Sequence, residues 1–357
     1  MALRTPILNV ENLYVQFTVR GKVLTAIRDV SFELYDHETL AIVGESGSGK
    51  SVLTKTLTGM LDSNGRVSGG KITFQGAELT KYKTNKEWQK IRGKRIAMIF
   101  QDPMTSLNPL LRIGHQIAEV IHLYRDLTWA ESKAEAIKLL KEVGIQDAEK
   151  RCRDYPFQYS GGMRQRVVIA IALACNPEIL ICDEPTTALD VTIQMQILEL
   201  IKSLQKQYNF SIIFITHDLG VVAKMADRVA VMYSGKIVEY GTSRDIFFEP
   251  AHPYTWALLS SLPQLGEKGK KLYSIVGAPP SLFKDIVGDA FAPRNPYALK
   301  IDFVEEPPMV KISDTHFAST WLLDERAPKV EKPSAITDLH QKMTTYSRIS
   351  KELKSDE

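Results

Sequence analysis

The chain has 357 residues, room for two or three domains of ordinary size, which excludes a single small binding module. Apolar residues make up 44% and charged residues 24%, so wholesale disorder and fibrous repeats are excluded too. Forty-five Lys plus Arg against 42 Asp plus Glu leave only +3, which gives no bulk attraction to nucleic acid or an anionic membrane.

Apolar and polar residues alternate over residues 7–17, which predicts a strand. From there to Tyr240, short β-branched runs alternate with helical stretches, the pattern of an α/β domain in which helices cover a sheet. The runs at 39–43, 95–100, 179–182, 211–216 and 228–233 are its expected strands. Thr128 and Glu131 have capping-box spacing and open a charged amphipathic stretch to Val143, inside a helical insertion at about residues 102–175. The most apolar run, 167–175, is about half the roughly 20 residues a spanning helix needs, and Arg164 and Arg166 precede it. No crossing of a bilayer is expected. Cys152, Cys175 and Cys182 are sparse and odd in number, and no hydrophobic leader precedes them, so a reducing, cytoplasmic setting is expected. Beyond Gly241 seven prolines between Pro250 and Pro296 break the chain into an appended, loop-rich domain at 242–326. Residues 327–357 are polar and lysine-rich and read as a solvated tail.

Gly44-Glu45-Ser46-Gly47-Ser48-Gly49-Lys50-Ser51 lies between an expected strand and an expected helix, the context a phosphate-binding loop requires. Its glycines let successive N–H groups face phosphate oxygens, and the helix N-terminus adds partial positive charge. Lys50 is placed to reach the β- and γ-phosphates, and Ser51 to ligate Mg²⁺. A carboxylate ending a buried strand must complete such a site, and Asp183 with Glu184 follows the strand at 179–182. Asp183 is the candidate for the metal's shell, Glu184 for the base that polarises the attacking water. Ser160-Gly161-Gly162 precedes the helical run at 163–174 and makes a second anion-facing helix start.

Here the sequence resembles the ATP-binding cassette family, whose signature is matched by Tyr159-Ser160-Gly161-Gly162-Met163 with Arg164-Gln165-Arg166 following. The resemblance implies a P-loop α/β fold over residues 1–241 and further roles in order. Gln101 matches the glutamine that senses Mg²⁺ and links nucleotide to the transport partner. Ala188-Leu189-Asp190 matches the loop that crosses a dimer interface. His217 matches the histidine on the γ-phosphate. Phe17 falls where an aromatic ring stacks on adenine, with Tyr14 the second candidate. In this family Ser160, Gly161, Gly162 and Asp190 act in trans on ATP held by another subunit, so a dimer is implied.

Within the family the sequence is most similar to ATPase subunits of oligopeptide and dipeptide importers. It shares their Gly-Glu-Ser-Gly-Ser-Gly-Lys-Ser loop, their extended glutamine loop at 100–109, a methionine at position 163, and the His252-Pro253-Tyr254-Thr255 and Gly277-Ala278-Pro279-Pro280 segments. The implied partners are a second, related cassette, two permeases and an extracellular peptide-binding protein, at the cytoplasmic face of the cell membrane. Nickel and glutathione importers have similar ATPases, and a soluble cassette acting on nucleic acid is the competing class. Many such ATPases carry cluster-binding cysteines where this sequence has Asp289, Asn295, Asp302 and Thr320. Iron–sulfur clusters need thiolates, so none is expected here. A hard cation on the two aspartates and the asparagine is the alternative, but three oxygen-bearing side chains are too few to specify one, so solvated or hydrogen-bonded loop residues are expected. Phe291, Tyr297 and Trp321 are the expected core of the region.

Overall fold

The computed structural model describes residues 5–102, 106–187, 189–262 and 275–337. Its strands form two sheets. The first is antiparallel, built from β1 (Leu8–Val19), β2 (Lys22–Leu34), β4 (Gly65–Phe74) and β5 (Ala77–Glu78) in the order β2-β1-β4-β5. The parallel centre of the second is β3 (Thr39–Val43), β6 (Ile96–Ile99), β7 (Ile179–Asp183), β8 (Ser211–Thr216) and β9 (Arg228–Tyr233). An antiparallel edge of β10 (Lys236–Thr242), β12 (Phe317–Ala318) and β11 (Val310–Lys311) extends it. The full order is β11-β12-β10-β9-β3-β8-β7-β6.

Strands buried on both faces send alternate residues to different cores. In β7, Ile179 and Ile181 enter the core beneath the antiparallel sheet, while Leu180 and Cys182 enter the core of the helical insertion. In β3, Leu40 and Ile42 face the first of these, and Ala41 and Val43 face a third core. The insertion packs Ile113–Tyr124, Trp129–Glu142 and Gly161–Leu173 around Ile117, Ile121, Leu140 and Ile169. Trp129–Glu142 begins as the sequence indicates: the Thr128 hydroxyl accepts from Glu131 N at 3.3 Å and the Glu131 carboxylate accepts from Thr128 N at 2.8 Å.

The third core changes the picture of the C-terminal region. It joins Val229, Val231 and Tyr233 of β9 to Tyr254, Trp256, Leu259, Phe291 and Ile336, and β12 pairs with β10 on the main sheet. Short proline-broken segments cannot close a core alone, so they complete one on the sheet's edge rather than stand as an appended domain. Phe291 is fully buried and Tyr297 packs at the margin of this core. Trp321 is not a core residue: only partly buried, it donates from Nε1 to Glu305 O at 3.0 Å. Residues from Ala327 to Thr337 are not a solvated tail either, because Val330 and Ile336 pack into the third core. Residues 338–357 lie outside the described residues.

Candidate functional site

The phosphate loop leaves β3 at Gly44 and enters the helix Lys50–Leu57. Gly47 and Gly49 adopt φ of +80° and +105°, a region that favours glycine, and a Cβ at Gly44 would meet the Met232 carbonyl oxygen at 2.0 Å. A turn of this shape lets successive backbone N–H groups converge on an anion. Lys50 is buried and its Nζ donates to Gly44 O at 2.7 Å, Glu45 O at 2.9 Å and Ser48 Oγ at 3.4 Å. Burial pushes the Lys50 ammonium below its usual range, against the pull of Glu184 and Asp183.

Asp183 and Glu184 end β7 beside this loop. Ser51 Oγ donates to Asp183 Oδ1 at 3.4 Å, so the two oxygen ligands expected for Mg²⁺ already adjoin, and this hard-donor pair fits that cation. Burial raises the Asp183 pKa, which the Ser51 hydrogen bond partly offsets. Glu184 has φ of +48°, an uncommon conformation for this residue type, held by its N–H to Ile215 O at 2.9 Å. Its carboxylate accepts from Gln101 Nε2 at 3.0 Å and Thr187 Oγ1 at 3.0 Å, and His217 Nδ1 lies 3.1 Å from its other oxygen. Residues from β6, β7, β8 and the phosphate loop thus converge at the carboxyl ends of the parallel strands, where open α/β sheets bind ligands.

Ser160, Gly161, Gly162 and Asp190 gather elsewhere. Ser160 Oγ accepts from Met163 N at 3.3 Å and Asp190 Oδ1 from Ile193 N at 2.9 Å, each capping its own helix. The two helix starts adjoin through Gly161 against Leu189 and Gly162 against Ile193. Among the described residues no hydrogen bond or ion pair joins either cap to the phosphate loop. Pro103, Met104 and Thr105 of the glutamine loop, and Ala188 before Asp190, lie outside the described residues. Phe17 lies on Gly65 and pairs across β1 and β2 with Leu24, which is two positions from Ala26, whose carbonyl faces Gly49. Tyr14 lines a separate cleft with Arg28, Lys236 and Glu306.

Asp289, Asn295, Asp302 and Thr320 are buried rather than solvated. Each side chain accepts a nearby backbone N–H: Phe291 to Asp289 at 2.9 Å, Tyr297 to Asn295 at 2.9 Å, Leu299 to Asp302 at 2.5 Å and Leu322 to Thr320 at 3.3 Å. They cap turns with oxygen acceptors, a donor set that does not fit an iron–sulfur cluster.

One feature of the site left no signal in the sequence. Arg294 reaches Glu45 of the phosphate loop with Nη1–Oε2 at 2.6 Å and Nη2–Oε1 at 3.0 Å, and the Glu45 N–H donates to Tyr254 Oη at 2.9 Å. A pairing across 249 positions has no local signature.

Comparison with known proteins follows the same lines. Residues 27–187 match the ABC transporter model, and residues 238–301 match the C-terminal region of oligopeptide/dipeptide transporters. The oligopeptide transport ATP-binding protein AmiE of Streptococcus pneumoniae is 62% identical over 94% of this chain and 95% of its own length. The dipeptide transport ATP-binding protein DppD of Lactococcus lactis is 58% identical over 91% of this chain and 93% of its own length. Among solved structures, the ATP-binding cassette MJ0796, a dimer in a post-hydrolysis state bound to ADP and Pi, aligns with TM-score 0.59 and 26% identity, covering 66% of this chain and 99% of that one. A phosphate loop, a carboxylate pair and a C-terminal region that all match place this chain in the ABC transporter family, among the ATP-binding proteins of oligopeptide and dipeptide transport.

Proposed function

We infer that this protein is the ATP-hydrolysing subunit of an oligopeptide or dipeptide importer. The observation that carries the reading is the convergence of Lys50, Ser51, Gln101, Asp183, Glu184 and His217 at one end of the parallel sheet, in a chain with the subfamily's C-terminal region. The residues 44–51 cradle the β- and γ-phosphates, and Phe17 supplies the ring against adenine. Ser51, Asp183 and Gln101 would hold Mg²⁺, which would supply neutralisation of the charge on the phosphate oxygens. Glu184 accepts the proton of the water that attacks the γ-phosphorus, while Gln101 and His217 orient that carboxylate and the γ-phosphate. The bond from the γ-phosphorus to the bridging oxygen breaks, ADP and inorganic phosphate leave, and Glu184 passes its proton to the departing phosphate or to solvent, which restores the carboxylate.

Ser160, Gly161, Gly162 and Asp190 serve the ATP of a second cassette, a related subunit, so each hydrolysis site is shared between chains. Residues 1–241 form the nucleotide-binding unit, with the helical insertion at 102–175 as its arm toward two permeases, and residues 242–326 form its extension. The assembly takes peptide from an extracellular binding protein. A peripheral position on the cytoplasmic face of the membrane goes with the role of a transporter's ATP-binding subunit; among the described residues no helix is long and apolar enough to cross a membrane. The oxygen-capped turns at 289–320 support a subunit without an iron–sulfur cluster, and the small net charge supports no nucleic-acid partner.

The test is Glu184→Gln. The amide keeps shape and hydrogen bonding and loses the base, so the assembled complex should bind Mg-ATP with normal affinity and lose steady-state hydrolysis. Wild-type turnover would refute the assignment.

A further inference from the structure

The phosphate loop is gripped from outside the nucleotide-binding unit. Each polar group of Glu45 is tied: its N–H to Tyr254, its carbonyl to Lys50 and the Ser48 N–H, and its carboxylate to both arms of Arg294. Tyr254 and Arg294 both belong to the C-terminal extension. Arg294 is itself fixed, with 5% of its side chain exposed, Nε donating to Val276 O at 3.1 Å and Nη1 to Tyr233 Oη at 3.1 Å. The turn that carries it, Ala292–Arg294, is pinned on either side by the Asp289 and Asn295 caps. Phe291 wedges its ring against Tyr233 and Tyr254 at 5.3 and 5.2 Å. A planar fork held this firmly loses little freedom when it binds a carboxylate.

Two consequences bear on the nucleotide. A polyphosphate entering the loop brings negative charge close to Glu45, and an uncompensated carboxylate there would repel it. The entering phosphates also compete for Lys50, and once Lys50 turns to them, the Ser48 N–H on its carbonyl is the tie from within the loop, and Tyr254 and Arg294 are the ties that hold Glu45 from outside it. We propose that Arg294 is a positioning residue of the nucleotide site: acting through Glu45, it holds the phosphate loop in its binding shape and cancels the carboxylate's charge. The C-terminal extension is thereby a working part of ATP binding and not only a support for the sheet edge. The proposal rests on the reading of residues 44–51 as the ATP phosphate site.

The test is a double-mutant cycle on the full chain, with Mg-ATP affinity measured by titration calorimetry and folding followed by circular dichroism. Arg294→Ala should weaken Mg-ATP binding about tenfold, as expected for loss of a charge-assisted bidentate pair. Arg294→Lys, which keeps the charge and loses the fork, should fall between, and it carries the test if the alanine variant does not fold. In a Glu45→Ala background the same Arg294 substitutions should change affinity less than about twofold, because the group they act through is gone. A Kd within about twofold of wild type for the Arg294 variants, or the same loss with and without Glu45, overturns the proposal. Lys50→Ala run in parallel separates the two readings: if it binds Mg-ATP normally, the phosphate-site assignment itself has failed.

Discussion

Asp289 shows how a single buried group sets a pH response. Burial pushes its carboxyl from 3.8 up to about 6, although the Phe291 N–H favours the charged form. A raised native pKa means that the unfolded chain ionises first, so the associated stability is complete below about pH 4 and is lost as pH rises through about 6. The loss is on the order of 2–3 kcal/mol at neutral pH. Asp289→Asn keeps an oxygen for Phe291 N–H and carries no charge. Its melting temperature should therefore exceed that of wild type at about pH 7.5, with the gap closing as pH falls toward about 4. A gap independent of pH would show that ionisation of Asp289 is not its cause. The sequence marks Asp289 only as an oxygen-bearing side chain; its burial depends on the packing of the buried Phe291 beside it and on the turn at 299–303, whose Asp302 carbonyl accepts the Asp289 N–H at 2.7 Å.

Elements in this chain were legible where their determinants are local. The Thr128–Glu131 capping box opens Trp129–Glu142 at the position the spacing predicts, and β3, β8 and β9 match their apolar runs residue for residue. Thr128→Ala removes the acceptor for Glu131 N and one of the two ties on the Glu131 carboxylate, and should cost about 1 kcal/mol. A thermal melt should drop by a few degrees with no change in Mg-ATP affinity, since the helix lies in the insertion away from the phosphate loop; an unchanged melt would show that the cap contributes nothing. The gathering of Gly44 to Ser51, Asp183, Glu184, Gln101 and His217 was also readable, because each sits at or just past the end of a strand whose apolar run is visible. The C-terminal extension was not. Among the described residues its strands are two residues long, its helices after Pro253–Ser260 are single turns, and its core is shared with β3, β9 and the helix Leu219–Met225. Periodicity has nothing to act on in segments so short, which is why the sequence suggested a separate domain, a core Trp321 and a solvated stretch at 327–337.

At the scale of the whole molecule, the chain carries two kinds of half-site that it does not bring together. The phosphate loop and its carboxylates lie at the strand ends, while the Ser160 and Asp190 helix starts cap their own helices and pack on each other through Gly162 and Ile193. A helix N-terminus two glycines long presents unpaired N–H groups suited to an anion, and within this chain the phosphate loop does not supply one. Hydrolysis by one copy alone would leave the γ-phosphate without those donors, and removing a preorganised donor from a transition state costs about 10²–10³-fold in rate. The isolated chain at concentrations where it is monomeric should therefore bind Mg-ATP and turn it over slowly, and the rate should rise when the partner cassette and permeases are added. In the proposed shared site the donors come from the partner, so mixing should also allow complementation. A Glu184→Gln chain retains an intact Ser160–Gly162, so it should still raise the hydrolysis of a partner whose own carboxylate is intact, while a Ser160→Arg chain should not. Full activity from a sample shown to be monomeric by light scattering would rule out a shared site, and equal stimulation by both variants would remove Ser160 from it.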